Sequence, residues 1–144
     1  MKVTIKGIIK ESNDNKQRYY DKVSKVIHPP YLRDLISLGV PPDEWKPILS
    51  IVFKQPVSVS IHSMGDEIKS GYVIDKFTQI IYDEDSNGYY IIREFDEFHN
   101  KTYQYRSMDN FWEKTIWTDK GDCVYKSNSK GIIFDLRYWL FNLL

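Results

Sequence analysis

The chain has 144 residues, long enough for one domain that buries roughly two-thirds of its unfolded surface without a metal or disulfide staple. Lys and Arg (20) balance Asp and Glu (20), and a formally neutral chain argues against a dedicated nucleic-acid binder, whose affinity rests on phosphate contacts. One cysteine cannot close an internal disulfide, and with no long apolar run the composition predicts a cytoplasmic protein without a membrane span.

Val3, Ile5, Ile8 and Ile9 alternate with polar residues as a strand does, and basic residues (Lys2, Lys6, Lys10, Lys16, Arg18, Lys22, Lys25) crowd this end. Tyr19, Tyr20, Val23, Val26 and Ile27 then recur at helical spacing up to His28-Pro29-Pro30, where the residue before proline leaves the α region. A second short helix is predicted over Tyr31 to Leu38, stopped by Gly39. Pro41-Pro42-Asp43-Glu44-Trp45 has the prolines and acids of a helix start, and Pro47 predicts a two-piece helix through Val52. From Val57 the period drops to two, with Val57, Val59 and Ile61 facing one way, a turn at Met64 to Glu67, and one longer strand from Gly71 to Tyr82.

Between Tyr82 and Phe134 the turn-forming and aromatic residues recur. Gly88 is followed 22 positions on by Asn110, and Asn110 21 positions on by Gly131. Phe95-Asp96-Glu97 is answered by Trp117-Thr118-Asp119 between them, so each unit reads as hairpin strands rich in aromatics. Such units bury little alone and are expected to stack. The last residues, Asp135 to Leu144, carry Trp139, Leu140, Phe141, Leu143 and Leu144. So apolar a segment is expected to be buried in the protein's own core, the alternative being a homodimer contact.

Three constellations compete as a site. Asp83, Asp85, Asn87, Gly88 and Glu94 match the D-x-D-x-N-G-x5-E calcium loop, which supplies oxygen ligands and a glycine for the sharp turn. Flanking Tyr89-Tyr90-Ile91-Ile92 is β-forming and the later copies lack the ligands, so a hairpin turn is the preferred reading and neither metal nor cofactor is expected. His62 near Asp66 and Glu67, or His99 near Asp96 and Glu97, sketches a metal-dependent hydrolase, although no two histidines share a ligand spacing. The third is the aromatic set. Alternation forbids Tyr89, Tyr90, Tyr103, Tyr105, Phe111, Trp112, Trp117 and Tyr125 from all facing inward, so one sheet face is expected to display aromatic rings near Arg93.

Asp85-Ser86-Asn87-Gly88-Tyr89-Tyr90-Ile91-Ile92-Arg93-Glu94-Phe95-Asp96-Glu97 resembles the "ENSNGYWYKREYDENGN" tandem repeats of uncharacterised phage and prophage proteins, and the likeness continues through Phe111 to Lys114 and Asp119 to Asp122. It implies a mobile-element origin and a β-meander, and no catalytic residues.

These readings converge on one α+β domain: a strand and short helices over 1–53, an antiparallel meander of about six or seven strands over 54–134, and the apolar segment 135–144. The expected function is a non-enzymatic protein–protein interaction module of the inhibitor or anti-defence type. Its contact residues are expected to be Tyr89, Tyr90, Arg93, Tyr103, Tyr105, Trp112, Trp117 and, on the Pro-rich helical segment, Trp45. A nucleic-acid-binding sheet module is the alternative.

Overall fold

A computed structural model describes residues 27–64 and 67–136. The expected N-terminal strand, the Gln17 to Ile27 helix but for its last residue, the turn at Gly65 and Asp66, and the proposed homodimer contact Trp139, Leu140, Phe141, Leu143 and Leu144 lie outside them. The chain divides into two compact units, residues 1–88 and 89–144.

The first unit contains helix α1 (Tyr31–Ser37), a 3-10 turn (Pro42–Glu44), helix α2 (Trp45–Val52) and strands β1 (Ser58–Met64), β2 (Glu67–Ile74) and β3 (Ile80–Glu84). The two-piece helix expected from the prolines is this 3-10 turn running into α2. Leu32 and Leu35 on α1, and Trp45, Ile48 and Leu49 on α2, recur at three and four positions and are buried with Ile27, Val40, Val57, Val73, Ile81 and Tyr82. β1 pairs antiparallel with β2, and β2 with β3. Gly71 is where α1 comes down on the strands: a Cβ there would collide with Leu32 Cδ1 and stand 3.3 Å from the Ser60 carbonyl oxygen. Gly71→Ala is therefore expected to cost about 1–3 kcal/mol in urea unfolding.

The second unit consists, among the described residues, of β4 (Tyr90–Phe95), β5 (Lys101–Arg106), β6 (Phe111–Trp117), β7 (Cys123–Asn128) and β8 (Gly131–Asp135), each antiparallel to the next. Only Val124 and Ser127 of its described residues are buried.

The α+β class and the antiparallel meander order hold, but the strands among the described residues number eight rather than six or seven. The segment Gly71 to Tyr82 is not one strand. It breaks at Asp75 to Gln79, where Asp75 Oδ1 accepts the backbone N–H groups of Phe77 (2.9 Å) and Gln79 (3.0 Å), and Asp75 Oδ2 accepts the Gln79 amide (2.8 Å). An aspartate folds its own chain here by bonding the backbone two residues on, in a loop without glycine, proline or asparagine.

The same five-residue loop recurs. Asp75, Asp96 and Thr118 each donate their N–H to the carbonyl four residues on (3.0, 2.9 and 2.8 Å), and the fourth residue has positive φ: Thr78 62°, His99 68°, Gly121 87°. Asp96 Oδ1 accepts from Phe98 and Asn100 as Asp75 Oδ1 does from Phe77 and Gln79. A register shift precedes each loop, at Val73/Ile74, Glu94/Phe95 and Ile116/Trp117. Thr78 is β-branched in a left-handed conformation that glycine adopts freely. Thr78→Gly is expected to raise stability by about 0.5–1 kcal/mol, read as a higher urea midpoint at unchanged slope.

Candidate functional site

Register sorts the side chains of the second unit onto two faces. Tyr105 stands opposite Ile92 on β4 and Trp112 on β6, while Tyr103 stands opposite Glu94 and Lys114. Ile116 faces Tyr125. Tyr90, Tyr103, Tyr105, Trp112 and Tyr125 therefore share one face, all half-buried. The Tyr90 and Tyr105 rings lie 6.0 Å apart and tilted by 42°, and the Tyr105 hydroxyl donates to Asn110 Oδ1 at 2.7 Å. Lys114 Nζ sits 5.6 Å from the Trp112 ring, a cation held on the same face. Burial, and after it the neighbouring Tyr105, pushes the Tyr90 hydroxyl above its ordinary range; burial, and after it Glu94, does the same for Tyr103. Both remain neutral donors at physiological pH.

The backbone at the ends of this face is fixed by serines. Tyr90 N–H donates to Ser107 Oγ (2.8 Å) and Ser107 N–H returns to the Tyr90 carbonyl (2.9 Å). Trp112 and Ser129, each 22 positions later, repeat the exchange at 3.4 and 2.9 Å. No residue-by-residue propensity marks Ser107 and Ser129; their spacing from each other, equal to that of Tyr90 and Trp112, is the signal in the sequence.

The other expected contact residues go elsewhere. Trp45 is a correction: it is 1% exposed, and its indole N–H donates to the Val40 carbonyl at 2.8 Å, so it belongs to the core of the first unit. The helical periodicity that it shares with Ile48 and Leu49 already marks that face as apolar. Arg93 lies on the opposite face from the tyrosines, with its Nε donating to Gln104 at 3.2 Å. Trp117 also lies there, its indole N–H fastened to the Lys101 carbonyl at 2.8 Å. Tyr89 precedes β4 and is exposed.

The residues of the calcium template are divided between strands and a turn. Asp83 is paired with Tyr72 inside the strand ladder, Asp85 Oδ1 accepts the Asn87 N–H at 2.8 Å, and Glu94 stands on β4 opposite Tyr103. Among the described residues no three His, Cys, Asp or Glu side chains converge as metal ligands. His62 lies exposed on β1, and His99 occupies the positive-φ position of its loop, where its N–H donates to the Asp96 carbonyl.

One polar cluster escaped the sequence reading. Helix α1 has no side-chain cap of its own. Its first three N–H groups are instead met from β3: Tyr31 N–H donates to the Tyr82 hydroxyl (2.9 Å), Leu32 N–H to Glu84 Oε1 (3.0 Å) and Arg33 N–H to Glu84 Oε2 (3.0 Å). The Tyr82 hydroxyl donates in turn to Glu84 Oε1 at 2.6 Å. Tyr31, Phe53 and Tyr82 pack ring to ring at 5.1 to 6.0 Å around it. This is a helix cap supplied across the fold, and its parts are structural.

No protein-family model matches the chain, and no curated protein matches it. Among the described residues no helix is long and apolar enough to cross a membrane.

Proposed function

We propose that the chain is a non-enzymatic protein–protein interaction module of phage or prophage origin, binding and modulating a host or phage protein as an inhibitor of host defence would. The observation that carries this reading is the placement of Tyr90, Tyr103, Tyr105 and Trp112 on one half-exposed face of a unit whose described residues include only two buried ones. Tyrosine and tryptophan supply large, stiff contact area at low entropic cost, and they dominate interface hot spots. The mobile-element origin rests on the likeness of residues 85–97 to phage repeats, and the 21- to 22-residue recurrence of turns and aromatics supports a tandem array.

Affinity capture from an extract of the native host tests the proposal. The wild-type chain is expected to retain a partner that Tyr105→Ser with Trp112→Ser does not, while urea unfolding shifts by no more than about 1–2 kcal/mol, the worth of the cross-strand pairs removed. Equal capture by both chains would rule this surface out.

A further inference from the structure

The formal neutrality of the chain conceals a segregation of charge in its second unit. On the face opposite the tyrosines, Arg93, Lys101, Arg106 and Lys126 stand with one acid on the strands, Glu113, and Asp109 reaches Arg106 from the following loop. Of the unit's other acids, Glu94 and Asp135 stand on the tyrosine face, opposite Tyr103 and Tyr125, while Asp96 and Asp109 each accept backbone N–H groups of their own loops. The cations are arranged across strands. Arg93 and Lys101 both donate to Gln104 Oε1 (3.2 and 2.9 Å), Lys101 lies 3.9 Å from Glu113, and Arg106 pairs with Asp109 at 2.9 Å. Lys126 stands one pair along, opposite Thr115 on β6.

Rings lie among these cations. Phe111 is opposite Arg106, whose guanidinium sits 4.7 Å from the ring centroid, and alternation puts Phe95 beside Arg93 and Trp117 beside Thr115 on the same side. All three rings are half-buried. From β4 to β7 the cations span three inter-strand spacings, about 14 Å.

We propose that this face binds single-stranded nucleic acid, with Arg93, Lys101, Arg106 and Lys126 toward phosphates and the interleaved rings toward bases. Cations across a strand array with aromatic platforms between them are the two elements by which sheet surfaces hold single strands without reading sequence. An acidic polypeptide would engage the cations and leave the rings idle. The site lies on the face away from Tyr105 and Trp112, so it stands or falls independently of the protein-binding surface.

Fluorescence anisotropy of 5′-fluorescein-labelled dT20 with the full chain, at 50 and 200 mM NaCl, tests it. Binding is expected at the lower salt and about 50-fold weaker at the higher, the dependence for four phosphate contacts on a single strand. Arg93→Gln with Lys126→Gln is expected to weaken binding at least tenfold and to flatten the logarithmic salt slope by about 1.4. The charge-conserving pair Arg93→Lys with Lys126→Arg is expected to bind as wild type, as is Tyr105→Ser. No binding at 50 mM NaCl would overturn the proposal. So would unaltered affinity of the Gln pair, loss of affinity in the charge-conserving pair, or displacement of dT20 by polyglutamate of equal charge as effectively as by unlabelled dT20.

Discussion

Glu84→Ala is expected to destabilise the first unit by about 3–5 kcal/mol. The carboxylate is 3% exposed and accepts three hydrogen bonds, from Leu32 N–H, Arg33 N–H and the Tyr82 hydroxyl. Alanine leaves these donors facing a void, and each orphaned buried donor costs about 1–3 kcal/mol. Glu84→Gln is expected to cost less, about 1–2 kcal/mol, because its carbonyl still serves Leu32 and Tyr82 while its amide meets Arg33 donor to donor. Urea unfolding checks both values. Hydrogen exchange localises the effect, since the Leu32 and Arg33 amides should lose protection in Glu84→Ala.

Glu84 also gives the first unit a pH dependence. Burial pushes its carboxyl above the ordinary value of 4.5, and the bonds from Tyr82, Leu32 and Arg33 and the charge of Arg33 pull it back only in part. A folded-state value above the unfolded one means that the fold binds the proton more tightly. The stability so contributed is full below the unfolded carboxyl value and is lost as pH rises through the folded one. Wild type should therefore lose stability relative to Glu84→Gln as pH is raised from about 4 toward neutrality. Parallel stability curves for the two proteins would show that Glu84 does not titrate differently in the fold.

Trp45→Ala is the second large effect, also about 3–5 kcal/mol. The indole begins α2 and fills the core beside Ile48 and Leu49, and its N–H satisfies the Val40 carbonyl in the connection from α1. Trp45→Phe retains most of the volume but orphans that carbonyl, for an expected loss of about 1–2 kcal/mol. Comparing the two by urea unfolding separates packing from the hydrogen bond. Neither variant is expected to alter partner capture by the second unit.

Local signals carried much of this fold into the sequence. The apolar spacing of α2, the proline start before it, the glycine after α1 and the aromatic alternation of β4 to β6 are all short-range, and the elements appear where those signals stand. Three features were not legible, each because its cause is tertiary or unconventional. The Asp75 loop is made by one carboxylate rather than by a glycine, so two strands read as one. Glu84 sits among acids that look like a solvated turn, and only its contact with a helix some fifty residues earlier gives it a role. Arg93 and Tyr90 are neighbours in composition but three residues apart on a strand, which puts them on opposite faces. The charge balance is silent on this for the same reason: counting residues averages over faces that the register separates.

The tyrosine face is proposed to meet a protein. Photo-crosslinking from that face answers this most directly, with p-benzoylphenylalanine placed at Tyr105 in one protein and at Thr115, on the opposite face, in another, and both irradiated in extract of the native host. One discrete protein adduct is expected from position 105 and none like it from position 115. No adduct from position 105, or the same adducts from both positions, would contradict it.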